Sequence, residues 1–237
     1  MTVAPGGVTA YGIGANGIVA VDLKNGTIGP PISKVSHCQS ISSGGGSQTL
    51  YVAGCGESAA AFTSILPVNV KTGAAGVPIP VPGTPGGVFV SPNGQTAYVI
   101  TQGGATLTSV DLATRTLGTV ITVPEGVNDL AITPNGAMAY ATGSTNNVIG
   151  KNTFSYVTPI DLTTGVAEKP IALLHAPYGI ALSPNGQTAY VTGFTYPPGA
   201  SGPPVPPDVT SIDLVAGRVI GAFKIPGGAS GIMNATS

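Results

Sequence analysis

Nine residues, Ser91-Pro-Asn-Gly-Gln-Thr-Ala-Tyr-Val99, return letter for letter at 183–191. Thr133-Pro-Asn-Gly-Ala-Met-Ala-Tyr140 is a close copy, and Ala4 to Tyr11 and Ser43 to Tyr51 are worn ones. Pro92 presets φ for the first corner of a type I turn, Asn93 tolerates the second, and Gly94 takes a left-handed conformation without steric cost. Branched and aromatic residues flank the turn on both sides, Val88-Phe-Val90 before it and Ala97-Tyr-Val99 after it, so the unit predicts a β-hairpin.

The repeat continues past the hairpin. The tyrosines of the copies, Tyr11, Tyr51, Tyr98, Tyr140 and Tyr190, are spaced by 40, 47, 42 and 50 residues. Each is followed by an Asx residue (Asp22, Asn69, Asp111, Asp161 or Asp213) in a short motif such as Val-Asp-Leu-Lys-Asn-Gly26 or Ile-Asp-Leu-Val-Ala-Gly217. One further strand and a Pro/Gly link lead into the next unit. Each unit therefore predicts four antiparallel strands, here called A, B, C and D, in about 40 to 50 residues, the size of one propeller blade. The 36 glycines and 22 prolines among 237 residues are spread as punctuation between these runs, which argues against helices and against disorder.

These motifs resemble the YVTN family of β-propeller repeats, found in bacterial and archaeal surface-layer and exported proteins. The resemblance rests on residues 91–99 and 183–192, each followed by the Asp-Leu turn, and extends over nearly the whole chain. It implies an all-β propeller and an exported or surface setting. The expectation is one domain, 1–237, with repeat units of about 4–41, 42–88, 89–130, 131–180 and 181–234. Five blades can form a closed five-bladed ring, with Gly231 to Asn234 pairing onto Thr9 to Ile13. The chain can equally be a segment of a larger ring, seven-bladed as the resemblance implies. If Met1 to Val3 already fills the first A position, the strand at 232–234 is surplus.

Residues that recur in every unit serve the blade. The Asx carboxyl or amide is expected to accept backbone N–H bonds from its own C–D turn. Gly26, Gly73, Gly165 and Gly217 supply positive φ there, and Arg115 takes that place in the third unit with some strain. The tyrosines are expected half-buried between blades. Function is expected where the units differ. The Tyr-to-Asx separations are 11, 18, 13, 21 and 23, and the surplus falls in B–C loops at 53–63, 143–156 and 193–208. Strand alternation puts these loops and the D–A links on one face, and loops on a rigid scaffold carry binding. Residues 196–207, with six prolines, read as an extended flap.

The D–A links and the first A-strand residues contribute His37, Gln39, Glu125, Asn128, Asp129, His175 and Tyr178 to the mouth of the expected channel. They form a candidate binding site; a small ligand there is an option, but no spacing within a link enforces metal or acid–base geometry. No metal and no cofactor are implied, and no catalytic residue is assigned. Cys38 and Cys55, the only cysteines, fall opposite one another across an A–B hairpin. A disulfide is expected, with two buried thiols or a redox pair as alternatives.

Only 7% of residues are charged and the formal net charge is −1, so no basic stripe for nucleic acid exists. No apolar run approaches the roughly 20 residues of a membrane span. No signal peptide precedes the first repeat, so an exported protein would be present here as a mature or excised segment. Gly12, Gly14 and Gly17 precede a strand, not a helix, and are no dinucleotide loop. The expected role is a non-catalytic propeller binding a protein or glycan partner on the long-loop face. The alternative is a lactonase-like hydrolase or lyase with Glu125, Asp129, His37 and His175 converging in the channel mouth.

Overall fold

The structure, a computed structural model, describes residues 1–237 except 5, 36, 47, 56–62, 102, 104, 147–152, 196–204 and 225–237. The described chain is all-β and forms five antiparallel sheets of blade type. Blade 1 holds β1 (Thr2–Val3), β2 (Thr9–Gly14), β3 (Gly17–Asp22) and β4 (Thr27–Ser33). Blade 2 holds β5 (Ser40–Ser43), β6 (Thr49–Ala53), β7 (Ser64–Asn69) and β8 (Ile79–Pro80). Blade 3 holds β9 (Pro85–Val90), β10 (Thr96–Thr101), β11 (Thr106–Asp111) and β12 (Thr116–Thr122). In blade 4, β13 (Val127–Ile132), β14 (Met138–Asn146) and β15 (Thr153–Asp161) are followed by a D strand in two pieces, β16 (Val166–Ala167) and β17 (Ile171–Leu173). Blade 5 holds β18 (Ala176–Leu182), β19 (Thr188–Thr195), β20 (Val205–Asp213) and β21 (Arg218–Lys224). Among the described residues, blades 1 to 3 lie in one compact unit, residues 1–121, and blades 4 and 5 in a second, residues 122–224.

The A–B turn forms as its chemistry dictates. In blade 3 the Gly94 N–H donates to the Ser91 carbonyl at 2.8 Å. The Asn93 side-chain oxygen accepts from the Gln95 N–H and from the Ser91 hydroxyl, and Gly94 sits at φ 70°. The same bonds recur around Thr133-Asn135 and Ser183-Asn185. At the C–D turn one side-chain oxygen of Asp22, Asn69, Asp111, Asp161 and Asp213 accepts the N–H groups two and three residues on, at 2.8–3.1 Å. Arg115 replaces the glycine of this turn and keeps its left-handed conformation, with φ 61°. Those turns also set how closely blades approach. A Cβ on Gly45 would stand 1.5 Å from the Pro92 carbonyl oxygen, so the A–B turn of blade 2 seats directly on that of blade 3.

Apolar residues of facing strands fuse neighbouring blades within each unit. Ile18, Ile41, Leu50, Val52 and Val68 join blades 1 and 2, with Tyr11 packed against them. Ala53, Ile65, Ile79, Val88, Val99 and Val110 join blades 2 and 3, flanked by Tyr51. Tyr140, Val157, Ile171, Ile180, Val191 and Ile212 join blades 4 and 5. Side chains of this size each contribute about 1.5–3 kcal/mol when fully buried.

β1 pairs with β2, Thr2 opposite Tyr11 and Val3 opposite Ala10, so the chain's own start fills the first A position. The closing strand expected at 231–234 lies outside the described residues.

Candidate functional site

Four of the seven candidate residues stand at just two register positions of the A strand. In blades 4 and 5 the A–B ladder slips at that strand's start: Val127 pairs with Gly143 and Asp129 with Thr142, and Pro177 with Gly193 and Gly179 with Thr192. Asn128 and Tyr178 are therefore bulged out at matching positions. Such bulges re-aim side chains at the ends of sheets. Both are exposed, Tyr178 by 60%. The Asn128 amide donates to the Pro177 carbonyl at 3.2 Å, which places it beside Tyr178. Gln39, in the first unit, precedes Ser40 as Asn128 precedes Asp129; its N–H donates to the Ala53 carbonyl and its side chain is exposed.

Asp129 has another task. Its carboxylate accepts the Leu130 N–H at 2.9 Å and the Ile180 N–H at 3.0 Å, stitching β13 to β18. Burial pushes its pKa up to about 6, more than the two backbone N–H groups pull it down. Ser40 stands at the same position of blade 2, and its hydroxyl oxygen accepts the Val88 N–H of blade 3 at 3.2 Å.

Glu125 is exposed on the link before β13, and its backbone carbonyl accepts the Tyr156 hydroxyl. His175 is partly buried on the link before β18, and a Cβ on Gly193 would stand 3.3 Å from its own Cβ. His37 is exposed in the first unit at φ 56°, in the left-handed region. Among the described residues no three His, Cys, Asp or Glu side chains form a cluster fit to hold a metal ion. Beside His37, Cys38 and Cys55 form a disulfide with Cα atoms 3.9 Å apart. It fastens the D–A link of blade 2 to the end of β6, as the hairpin register predicts.

The B–C connections differ from the sequence reading. Residues 143–156, expected as loop, are largely strand: β14 and β15 pair without a slip from Met138–Asp161 to Asn146–Thr153. In blade 5 the pairing reaches Thr195 opposite Val205, so the expected flap at 196–207 begins only beyond a ladder. Residues 196–204 and 56–62 lie outside the described residues. On the same rim Phe154 is 64% exposed and Leu174 94%. The pairing of Leu173 with Ser155 brings Leu174 next to Phe154 along the ladder. Sequence reasoning missed both. A helix- or strand-period pattern gives no sign of them, because they sit where the copies stop matching.

A separate cleft of about 660 Å³ opens between the outer strands of blades 4 and 5, lined by Tyr140, Pro159, Glu168, Lys169, Pro170 and Arg218 among others. None of the seven candidate residues lines it. It exists because Glu168-Lys169-Pro170 interrupts the D strand between β16 and β17.

No protein-family profile matches the chain, and no curated protein matches it. Among solved structures it is similar to Kuenenia stuttgartiensis hydrazine synthase, with a TM-score of 0.72 at 21% identity over 97% of this chain. The match covers 66% of that protein's chain, so this chain spans somewhat less than two thirds of it. At this identity the likeness concerns the fold: a β-propeller of five described blades. No helix of the described residues is long and apolar enough to cross a membrane.

Proposed function

We propose that this chain is a non-catalytic β-propeller scaffold of YVTN-repeat type, exported or displayed at the cell surface. It binds a protein or glycan partner through the rim bearing its D–A links and outgrown B–C hairpins. The observation that carries this reading is a contrast within each blade. The Asx residues that recur spend their side chains on their own turns. The residues that differ, Gln39, Asn128 and Tyr178, stand just before the same A-strand position and face solvent, Asn128 and Tyr178 from bulges. A rigid sheet start presenting an amide in one blade and a phenol in the next suits recognition. The disulfide, which braces the Gln39 link, fits an oxidising compartment.

The test is binding of the purified chain to arrays of neutral and acidic oligosaccharides and of cell-surface proteins, repeated with Asn128→Ala/Tyr178→Ala. The reading expects a binder among them whose signal falls at least tenfold in the double variant while that variant remains folded. No binder, or binding indifferent to the double variant, overturns it. Turnover of a small lactone that is lost in Glu125→Gln would replace it with the hydrolase reading.

A further inference from the structure

Blades 2 and 4 share one irregularity in strand D. Their B-strand tyrosines face a proline across the B–C ladder, Tyr51 opposite Pro67 and Tyr140 opposite Pro159. Proline has no N–H, so strand D forfeits one fewer bond by leaving the ladder at that point. The proline carbonyl accepts the Gly76 N–H in blade 2 and the Glu168 N–H in blade 4, at 2.8 Å in both. Pairing resumes three residues on, at Ile79 and at Ile171. Gly76-Val77-Pro78 thus matches Glu168-Lys169-Pro170.

The C–D turn of the next blade separates the two cases. Four residues after the Asx stands Arg115 in blade 3 and Gly217 in blade 5, at φ 61° and 62°. Burial raises the pKa of the Tyr51 phenol and the Arg115 charge pulls it back, so that guanidinium acts on the Tyr51 hydroxyl. Blade 5 sends no side chain from the same place, and a Cβ on Gly217 would meet nothing within 4 Å. The space beside Tyr140 stays open as the cleft of about 660 Å³. Tyr140 is 7% exposed and lines that cleft, and its hydroxyl has no hydrogen-bond partner among the described residues. Burial raises its pKa, and the Glu168 charge raises it further, which sets a carboxylate near the phenol. Glu168, Lys169 and Arg218 all line the cleft, and none is in an ion pair among the described residues.

We propose that this cleft binds arginine, as the free amino acid or as the C-terminal residue of a peptide, with the guanidinium beside Tyr140 and Glu168 and the carboxylate on Lys169 and Arg218. Between blades 2 and 3 the chain supplies its own guanidinium to the tyrosine. Between blades 4 and 5 it has glycine in that place and a carboxylate where blade 2 has Gly76. A guanidinium from outside donates in a fork to such a carboxylate and to a free phenolic oxygen. A lone cation would be repelled by Lys169 and Arg218, so the ligand carries an anion as well. The cleft's volume is that of an ordinary small-molecule site. It shares no lining residue with the rim candidates, so it is tested independently of them.

Isothermal titration calorimetry of the full chain tests this with L-arginine, with citrulline, whose urea is neutral, and with agmatine, which lacks the carboxylate. The expected result is saturable one-to-one binding of arginine, at least tenfold weaker for either analogue. Glu168→Gln is expected to weaken it at least tenfold. Gly217→Arg, which copies the blade 3 turn, is expected to abolish it; both positions are exposed, and thermal melts check that both variants fold. The peptide Gly-Gly-Arg, titrated in parallel, separates the two sources: tighter binding than arginine assigns a chain end, weaker binding the free amino acid. Arginine that does not saturate in the millimolar range overturns the proposal. So does citrulline or agmatine binding as tightly as arginine, or binding indifferent to Glu168→Gln.

Discussion

Asp129 and Ser40 occupy one register position, and each accepts the N–H of the following blade's A strand, from Ile180 in one case and Val88 in the other. A hydroxyl does this without a charge; a carboxylate must be desolvated to do it. The folded protein therefore holds a proton on Asp129 more tightly, near pH 6, than the unfolded chain does near its ordinary 3.8. Between those values the native state binds more protons than the unfolded state, so this group's contribution to stability falls as pH rises from about 4 to about 6. Asp22, Asp111 and Asp161 act in the opposite sense. Their pKa values are lowered, by the Asn25 amide and by the Thr114 and Thr164 N–H groups first, so their contribution is lost as pH falls below the ordinary carboxylate range. The prediction is that Asp129→Asn flattens the dependence of urea midpoint on pH between 4 and 6 while leaving the decline below pH 4. A slope retained in full by Asp129→Asn would show that another group sets it.

At the scale of the element, the hairpin β5–β6 is closed at one end by its turn and at the other by the Cys38–Cys55 disulfide, 17 residues apart in sequence. Opening a loop of that size costs about 3 kcal/mol in the chain-entropy account. Cys38→Ser/Cys55→Ser is therefore expected to lower unfolding free energy by about 3 kcal/mol in chemical denaturation; a loss near zero would mean that the ladder alone holds the hairpin. This pairing was legible because a hairpin's register follows from its turn, and the turn is spelled out in the sequence. The same logic located the A–B and C–D turns and all five sheets. It failed where the copies diverge. Thr145, Asn146 and Thr153 carry no apolar alternation, yet they extend the β14–β15 ladder because an already formed hairpin continues at little added entropy. Pro206 and Pro207 argued against a strand, but they sit where β20 slips past β19 between Asp208 and Val205, where no ladder N–H is needed. The bulges that present Asn128 and Tyr178 were equally hidden. Both residues were named as candidates from their place in the links, but a one-residue slip leaves no compositional trace.

Across the whole molecule, five copies of one blade separate two kinds of residue. Markers repeated in each blade, the Asx of the C–D turn and the tyrosine of strand B, are consumed by local bonds and by packing between neighbours. Residues in which blades 4 and 5 differ sit on their D–A links and B–C hairpins, where Glu125, Phe154, Leu174 and Tyr178 face solvent. If the first kind holds the fold and the second is free for a partner, stability must distinguish them. Thermal melts of two sets of single alanine variants make the comparison: Asp22, Asp111, Asp161 and Asp213 in one, Glu125, Phe154, Leu174 and Tyr178 in the other. The expected result is a lowered melting temperature for each member of the first set, from loss of its two turn bonds, and no change across the second. Rim variants that melt as early as the turn variants would contradict the division on which the functional reading stands.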